Sequence, residues 1–285
     1  MTAVCHASVL DPRGPVGQAD KTLLIDSLAI MLAIVVPTVV ATLGFAWWYR
    51  ASNERARYLP EWAFSGQIEL VVWSIPVMVI ILLGGVTWIG SHQLDPARPL
   101  SSQAQSLDES LDIQVVSLDW KWLFIYPHQR IASVNQLVVP AGVPLHFSLT
   151  SASVMNAFFV PQLGSMIYTM NGMATELHLQ ADQPGTFRGI SAHYSGEGFS
   201  DMHFDVRALP SAQFDQWIET TQSEGRVFTA DSYSALAKQS VNVPVATYKD
   251  VDPELFNKIV LLALPPGPGP ATARVDAAPA QPSGH

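Results

Sequence analysis

The sequence predicts a membrane-anchored all-β protein: an N-terminal two-helix transmembrane hairpin, then a β-sandwich and a short helical C-terminal extension. Three observations lead to this fold class. Two long apolar runs lie near the N-terminus, and short segments of two-residue alternation separated by Pro/Gly turns follow them. After Pro210 a helical period replaces that alternation. Alternation is typical of half-buried strands, whereas a continuous apolar run is typical of a spanning helix.

The two apolar runs are long enough to cross a bilayer. Spans are predicted at about residues 23–49 and 69–90, because a spanning helix needs ~20 apolar residues. The loop at residues 50–68 carries Arg50, Arg55 and Arg57, which places it in the cytoplasm by the positive-inside rule. Residues 1–21 and the long C-terminal part are then expected outside. A pair of buried core helices is the alternative, and the span length and flanks disfavour it.

Composition excludes several classes of function. The chain has 285 residues and a net charge of −9, and its outer part is acidic, which argues against nucleic acid as a partner. Cys5 is the single cysteine, so neither an intrachain disulfide nor a thiolate metal site is expected in the outer domain. Two interpretations of Cys5 stay open. It is either the lipidated first residue of a mature chain whose start lies upstream, or an inert cysteine in the external segment.

The outer domain is predicted at residues 112–209, after a Ser/Gln/Pro/Asp-rich linker at residues 92–111. Its strands alternate apolar and polar residues, and aromatic residues are prominent in one of them. Pro/Gly-containing turns separate the strands, which indicates a sandwich or barrel. Strands are predicted from residue 113 and at residues 120–126, 134–139, 145–150, 174–181, 186–192 and 202–206, with a turn at residues 140–144.

Residues 210–263 are predicted to form a helical C-terminal extension. Helical patterns cover residues 212–223 and 231–239, with Asp231 or Ser232 as the N-cap of the second helix. A third helix is predicted near Asp252, with Pro253 in its first turn. Residues 264–285 are rich in Pro, Ala and Gly, which predicts disorder.

Three segments carry a family resemblance: DWKWLFIYP (Asp119–Pro127), NAFFVPQLG (Asn156–Gly164) and SAHYSGEGFSDMHF (Ser191–Phe204). With them, the chain from about Leu23 to Pro210 resembles subunit II of the haem-copper terminal oxidases. The resemblance implies that the sandwich is cupredoxin-like and lies in the periplasm, anchored in a bacterial inner membrane. It also implies a polytopic partner, the haem-bearing subunit I.

In the cytochrome c oxidases of this family, the outer domain binds a dinuclear copper centre. Its ligands are two histidines, two bridging cysteine thiolates, a methionine and a glutamate carbonyl. Matched to that motif, the copper-equivalent positions are Asn156 and His203 for the histidines, Ser195 and Phe199 for the cysteines, Glu197 for the carbonyl and Val206 for the methionine. Only the glutamate and the second histidine are retained. Because soft thiolates are what suit such a centre, we expect no dinuclear copper.

This loss is the pattern of the quinol oxidase branch, such as the cytochrome bo type. In that branch, membrane ubiquinol delivers electrons directly to haem in subunit I. The segment LGFAWWYRASN (Leu43–Asn53) also resembles that branch. The resemblance implies a proton-translocating ubiquinol oxidase that reduces O2 to water. It implies that this chain binds no cofactor and that haem and copper lie in subunit I. Further small membrane subunits are expected to complete the complex. The alternatives are a cytochrome c oxidase subunit II and a non-respiratory membrane-tethered binding domain.

Three histidines and a methionine of the outer domain are candidates for a simpler metal site. His178, His193 and His203, with Met202, belong to the same predicted domain, and three imidazoles could hold zinc or copper. However, His178 alternates with apolar residues on a predicted solvent face. The other histidines flank a glycine-rich loop, where hydrogen-bonded loop residues are more common. The sequence therefore favours the absence of a metal site.

The first family segment contains two tryptophans, Trp120 and Trp122. In the copper-bearing relatives, an aromatic residue in this segment conducts electrons towards the metal. Without that metal, we expect Trp120 and Trp122 to pack in the core, since buried aromatics dominate sandwich cores.

Glu69 is the charged residue at the cytoplasmic entrance to the second span. From position alone, Glu69 is interpreted as a carboxylate at the end of a span, where its side chain reaches the membrane–water interface at a low cost in free energy. Carboxylates inside the membrane, however, often mark proton routes. In the family, a glutamate just ahead of a W-(S/T)-x-P segment lies at the mouth of a proton channel into subunit I. Here Glu69 precedes Trp73–Pro76, so the resemblance implies a role in proton uptake.

Overall fold

A computed structural model describes residues 8–57, 59, 61–100 and 110–267. Cys5, residues 101–109 of the predicted linker and residues 268–285 lie outside the described residues. The chain divides into two compact units. One unit contains residues 19–95, and the other combines residues 1–18 with residues 96–285.

The first unit consists mainly of two long helices, α1 (Pro15–Trp48) and α2 (Gly66–Gln93). Both are long and apolar enough to cross a membrane. They extend beyond the predicted spans, because a helix can continue past the hydrocarbon layer. The helices approach closely at Gly90, where an added Cβ would lie 2.9 Å from a methyl carbon of Leu23.

The outer domain is a sandwich of a seven-stranded and a five-stranded sheet. The larger sheet has the order β11-β12-β3-β2-β1-β5-β8, and the smaller has the order β4-β10-β9-β6-β7. Strand β5 runs parallel to β1, and β10 runs parallel to β4. The strands are β1 (Leu111–Leu118), β2 (Lys121–Tyr126), β3 (Ile131–Val134), β4 (Gln136–Pro140), β5 (Pro144–Ser151), β6 (Asn156–Phe159), β7 (Ile167–Thr169), β8 (Thr175–Gln180), β9 (Gly185–Ser191), β10 (His203–Leu209), β11 (Arg226–Val227) and β12 (Ala246–Lys249).

Aromatic side chains fill the space between the two sheets. The rings of Phe158 and Phe204 stack with centroids 5.1 Å apart, and Trp122 lies 5.5 Å from both. All three are buried. Burial of large rings in such geometries dominates the stability of sandwich cores, so the prediction that Trp122 packs in the core is confirmed.

The C-terminal region contains α3 (Ser211–Glu224), α4 (Ala230–Leu236) and α5 (Leu255–Val260), but also β11 and β12. Helix α3 packs against the core cluster between the sheets through Phe214, whereas the part from β11 onwards covers the outer face of the larger sheet. The extension is therefore not purely helical: β12 pairs antiparallel with β3 and widens the sheet. A second apolar cluster joins the outer face of the sheet to this region, and as a result β2 is buried on both faces. Its members include Leu123, Ile125, Phe228, Tyr233, Leu236, Leu255, Phe256 and Ile259.

The predicted strand at residues 134–139 is wrong, because Asn135 adopts a positive φ of 56° and divides it. Strand β3 then lies in the larger sheet and β4 in the smaller. Asn135 fits this turn because asparagine tolerates the left-handed region. Its side chain accepts from the backbone N–H of Trp122 at 2.9 Å and donates to the carbonyl of Val243 at 2.8 Å.

Three local predictions in the same domain also need correction. Trp120 has a φ of 62° and lies in the turn before β2, outside the strand predicted to contain it. Helix α4 is capped by Thr229, whose hydroxyl accepts from the N–H of Ser232 at 3.2 Å. Helix α5 begins at Leu255, so Pro253 precedes it. The carboxylate of Asp252 accepts from the backbone N–H of Glu254, the residue just before the helix, at 3.0 Å.

The predicted external segment packs against the sandwich. The N–H of Arg13 donates to the carbonyl of Gln162 at 2.7 Å, and the N–H of Gly17 donates to that of Leu163 at 3.0 Å. Val16 belongs to the core cluster between the sheets. It fits against Gly164, where any Cβ would collide with the Val16 side chain. Burial thus fixes the residues just ahead of the membrane-spanning part of α1.

Gly189 is expected to tolerate no side chain. An alanine Cβ at this position of β9 would overlap the ring of Phe204. Since overpacking a core typically costs 1–3 kcal/mol, we expect Gly189→Ala to lower the free energy of unfolding by about 2 kcal/mol. Gly142→Ala is the contrasting variant, because nothing lies within 4 Å of its added Cβ and only its positive φ opposes the change. Hydrogen exchange in β9 and β10 would measure the loss, and unchanged exchange in Gly189→Ala would contradict the packing.

Candidate functional site

Asn156 begins β6 and is buried within a closed polar cluster. Its Oδ1 accepts from the hydroxyl of Ser191 at 3.2 Å, and its Nδ2 donates to the carbonyl of Val154 at 3.2 Å. The Asn156 carbonyl accepts from Thr169, whose hydroxyl also lies 2.9 Å from that of Ser117. Hydrogen bonds within the protein therefore satisfy the side chain that replaces the first histidine.

The loop between β9 and β10 carries three copper-equivalent positions, and Trp120 holds it in place. The indole N–H of Trp120 donates to the carbonyl of Ser195 at 3.0 Å. Its ring lies against Gly198, where an added Cβ would overlap it. The buried hydroxyl of Ser195 lies 4.0 Å from the sulfur of Met202. Trp120 is half-buried and packs against the core, the role that the sequence predicted for it. Its support of this loop was not predicted.

The remaining copper-equivalent positions carry side chains that do not form a metal site in the described part of the chain. Glu197 and His203, the two retained residues, are exposed, whereas Val206 is buried on the opposite face of β10 from His203. Phe199 turns its ring towards Tyr194, with centroids 5.7 Å apart. Among the described residues, no group of three or more His, Cys, Asp or Glu side chains could hold a metal ion. The donor set therefore does not fit a dinuclear copper centre, which needs thiolates.

The three histidines that were candidates for a simpler metal site belong to different parts of the domain. His178 lies on β8 of the larger sheet and stacks on His146, with ring centroids 4.8 Å apart. His193 follows β9 and packs against Tyr168, and His203 begins β10 in the smaller sheet. Burial lowers the pKa of His178, and nearby His146 adds to this effect. In the part of the chain described, these residues do not form one site.

Glu69 lies in the first turn of α2, where its backbone N–H donates to the carbonyl of Ser65 at 3.0 Å. Its side chain is exposed within this isolated chain. A carboxylate at a helix N-terminus is favoured by the helix dipole. Trp73 and Pro76 follow in the same helix, as the family segment requires.

Lys121 is a buried charged residue that the sequence analysis overlooked. Its Nζ lies 2.8–2.9 Å from three carbonyl oxygens, those of Asp119, Leu236 and Lys238. Burial lowers the pKa of Lys121 to about 8, although the carboxylate of Asp119 opposes the shift. The sequence contained an indication of this role, because Lys121 belongs to a predicted strand whose other residues are apolar or aromatic. Lys121 links the sandwich to the end of α4.

Two family profiles match the outer part of the chain. The profile of the cytochrome c oxidase subunit II periplasmic domain matches residues 111–209, and the profile of the oxidase aromatic-rich motif matches residues 222–266. Ubiquinol oxidase subunit 2 of Acetobacter aceti is 48% identical over 260 residues, which cover 91% of this chain and 84% of the relative. The chain belongs to the quinol oxidase subunit 2 family.

Other members of the quinol oxidase subunit 2 family are also similar over most of this chain. Cytochrome bo(3) ubiquinol oxidase subunit 2 of Pseudomonas aeruginosa is 48% identical, covering 90% of this chain and 76% of the relative. Quinol oxidase subunit 2 of Bacillus cereus is 37% identical, covering 82% of this chain and 79% of the relative. The periplasmic-domain profile includes every copper-equivalent position, so the scaffold is retained while the thiolate ligands are absent.

The aromatic-rich motif coincides with the region that covers the outer face of the larger sheet. It spans β11, α4, β12 and α5, together with Phe228, Tyr233 and Phe256 of the second apolar cluster. In this family member, the residues of the motif therefore bury the face of β2 that points away from the smaller sheet. It is part of the packed domain and not an appended tail.

Proposed function

We propose that this chain is subunit II of a proton-translocating ubiquinol oxidase, a complex that reduces O2 to water in an aerobic respiratory chain. The observation that carries the proposal is the state of the copper-equivalent positions. Asn156 and Ser195 are buried against protein partners, and Phe199 stands where the second thiolate is required. A scaffold without an electron-accepting centre suits a lipid-soluble donor, and the named relatives support the same function.

In this proposal the chain anchors and supports the catalytic partner and carries no redox group. Haem and copper belong to the polytopic subunit I, and further small membrane subunits complete the oxidase. The two apolar helices and the basic loop between them support a periplasmic outer domain. A cytochrome c oxidase subunit II is disfavoured because both thiolate positions are occupied by other residues.

Purification of the chain at native expression level tests this function. We expect a polytopic haem protein to co-purify and the preparation to consume O2 with a ubiquinol analogue as donor. Reduced cytochrome c is the control donor and should support no turnover. Turnover with cytochrome c, or purification without any haem protein, would contradict the assignment.

We also propose that Glu69 collects protons for the partner subunit. Its place in the first turn of α2, just ahead of Trp73, supports this role. Replacing Glu69 with glutamine should slow O2 reduction severalfold while haem content stays normal, because the amide keeps the shape but cannot carry a proton. Glu61→Gln, in the loop before α2, is the matched control and should have no effect. Normal turnover in Glu69→Gln would reject the proposal.

A further inference from the structure

A cavity of about 470 Å³ lies in the C-terminal region, between α4, α5 and the segment Leu264–Gly267. This volume is typical of small-molecule sites, which range over ~300–1,000 Å³. Most of its lining is apolar and includes Phe228 and Leu255. The segment that forms one wall is fixed to the sandwich, since the N–H of Gly267 donates to the carbonyl of Ala152 at 2.7 Å. The cavity is thus a built feature of the domain.

Two polar groups at this cavity lack partners within the described residues. Tyr233 is 6% exposed, and its hydroxyl, which is not fully buried, makes no hydrogen bond to a described residue. Burial raises the pKa of Tyr233 to about 12, so the hydroxyl remains a neutral donor. The ammonium group of Lys238 is exposed at the rim and forms no ion pair with a described residue.

The other charges that line the cavity compensate each other. Lys258 forms an ion pair with Asp252 at 2.5 Å. One positive charge, that of Lys238, therefore remains unbalanced beside an apolar space. A cationic ligand would be repelled there, and a fully polar ligand would lose its hydrogen bonds to water without replacing them.

We propose that this cavity binds a single-chain amphiphile with an anionic carboxylate head, such as a fatty acid. The apolar chain packs between Phe228, Leu255 and Leu264. The carboxylate accepts hydrogen bonds from Lys238 and from the hydroxyl of Tyr233. The volume of about 470 Å³ lies within the ~300–1,000 Å³ range of small-molecule sites, which suits a chain of medium length. The proposal goes beyond the oxidase function and does not depend on it.

Photo-crosslinking of the intact oxidase in nanodiscs of zwitterionic lipid tests the site. The probe is a diazirine-bearing dodecanoate, and mass spectrometry locates the labelled peptides. We expect labelling of residues 228–239 and 252–267 that saturates and that unlabelled dodecanoate competes away. Ser234→Trp, which fills the cavity from α4, should abolish this labelling. Ala235→Trp is the matched control, because Ala235 is exposed on the same helix and does not line the cavity.

The charge requirement has its own variants. Lys238→Glu should weaken competition by dodecanoate about tenfold, since it replaces attraction with repulsion near the head group. Arg188→Glu makes an equal charge change at an exposed position of β9 and should leave the competition by dodecanoate unchanged. Equal competition by dodecanol and dodecanoate would overturn the anionic head group.

Three further outcomes would overturn the site. The first is labelling confined to the apolar hairpin. The second is equal labelling in Ser234→Trp and Ala235→Trp. The third is labelling that arises only after truncation beyond Gly267, which would assign the cavity to residues 268–285 of the chain itself.

Discussion

Replacing Lys121 with methionine is expected to destabilise the outer domain by about 3–5 kcal/mol. Methionine retains the apolar stem but leaves the carbonyls of Asp119, Leu236 and Lys238 without their shared donor. Each buried unsatisfied polar group costs about 1–3 kcal/mol. Two of these carbonyls lie at the end of α4, where a helix has no internal donors left and a cation is favourable. The variant should therefore release α4 from the sandwich.

Hydrogen exchange of the intact oxidase measures this effect locally. In Lys121→Met, amides of β2 and α4 should exchange far faster, since a loss of about 3 kcal/mol is more than a hundredfold in the opening equilibrium. Lys249→Met is the matched control: Lys249 also donates to a carbonyl, that of Ser223 at 2.7 Å, but this hydrogen bond is exposed to solvent. It should cost under about 1 kcal/mol. Equal protection in both variants would show that Lys121 does not hold the two regions together.

Restoring the missing ligands is expected to restore copper binding in an all-or-none manner. The variant combines Asn156→His, Ser195→Cys, Phe199→Cys and Val206→Met, and it keeps Glu197 and His203. We expect it to bind two copper ions with strong visible absorption from the copper–thiolate bonds. The loop is already held by Trp120, so the backbone that must carry the thiolates is in place.

Partial restoration is the control for this experiment. Ser195→Cys alone supplies one thiolate. Because the dinuclear centre needs two bridging thiolates, this variant should not show the spectrum of a dinuclear copper centre. Copper analysis and optical spectra of the membrane complex distinguish the cases. A fully substituted, folded variant that binds no copper would show that these positions do not correspond to the ligand set.

Much of the fold could be predicted from residues whose pattern reflects a single physical demand. Leu177 and Leu179 alternate with polar neighbours because β8 buries one face, and the structure confirms this. Strand β2 was more difficult to predict, because both of its faces are buried and it shows no alternation of exposed and buried residues. Its outer face is covered by residues more than a hundred positions later in the chain. The sequence did not predict the full set of strands in the larger sheet. The residues of β12 show little strand pattern by themselves, and this strand is defined by its antiparallel pairing with β3.

The candidate site was predicted in its chemistry but not in its geometry. The absence of cysteine from the outer domain was enough to exclude thiolate ligands. The sequence could not reveal that His203 faces solvent while Asn156 is enclosed by Ser191 and Thr169, because these contacts join three separate strands. The left-handed conformation of Trp120, which aims its indole at Ser195, was likewise a tertiary effect.

Copper bound to this chain is the most direct measure of how electrons reach the oxidase. The native complex, partially reduced and examined by electron paramagnetic resonance and near-infrared absorption, should show no mixed-valence dinuclear copper signal while it turns over with ubiquinol. A stoichiometric, redox-active dinuclear copper signal from the outer domain would contradict the account.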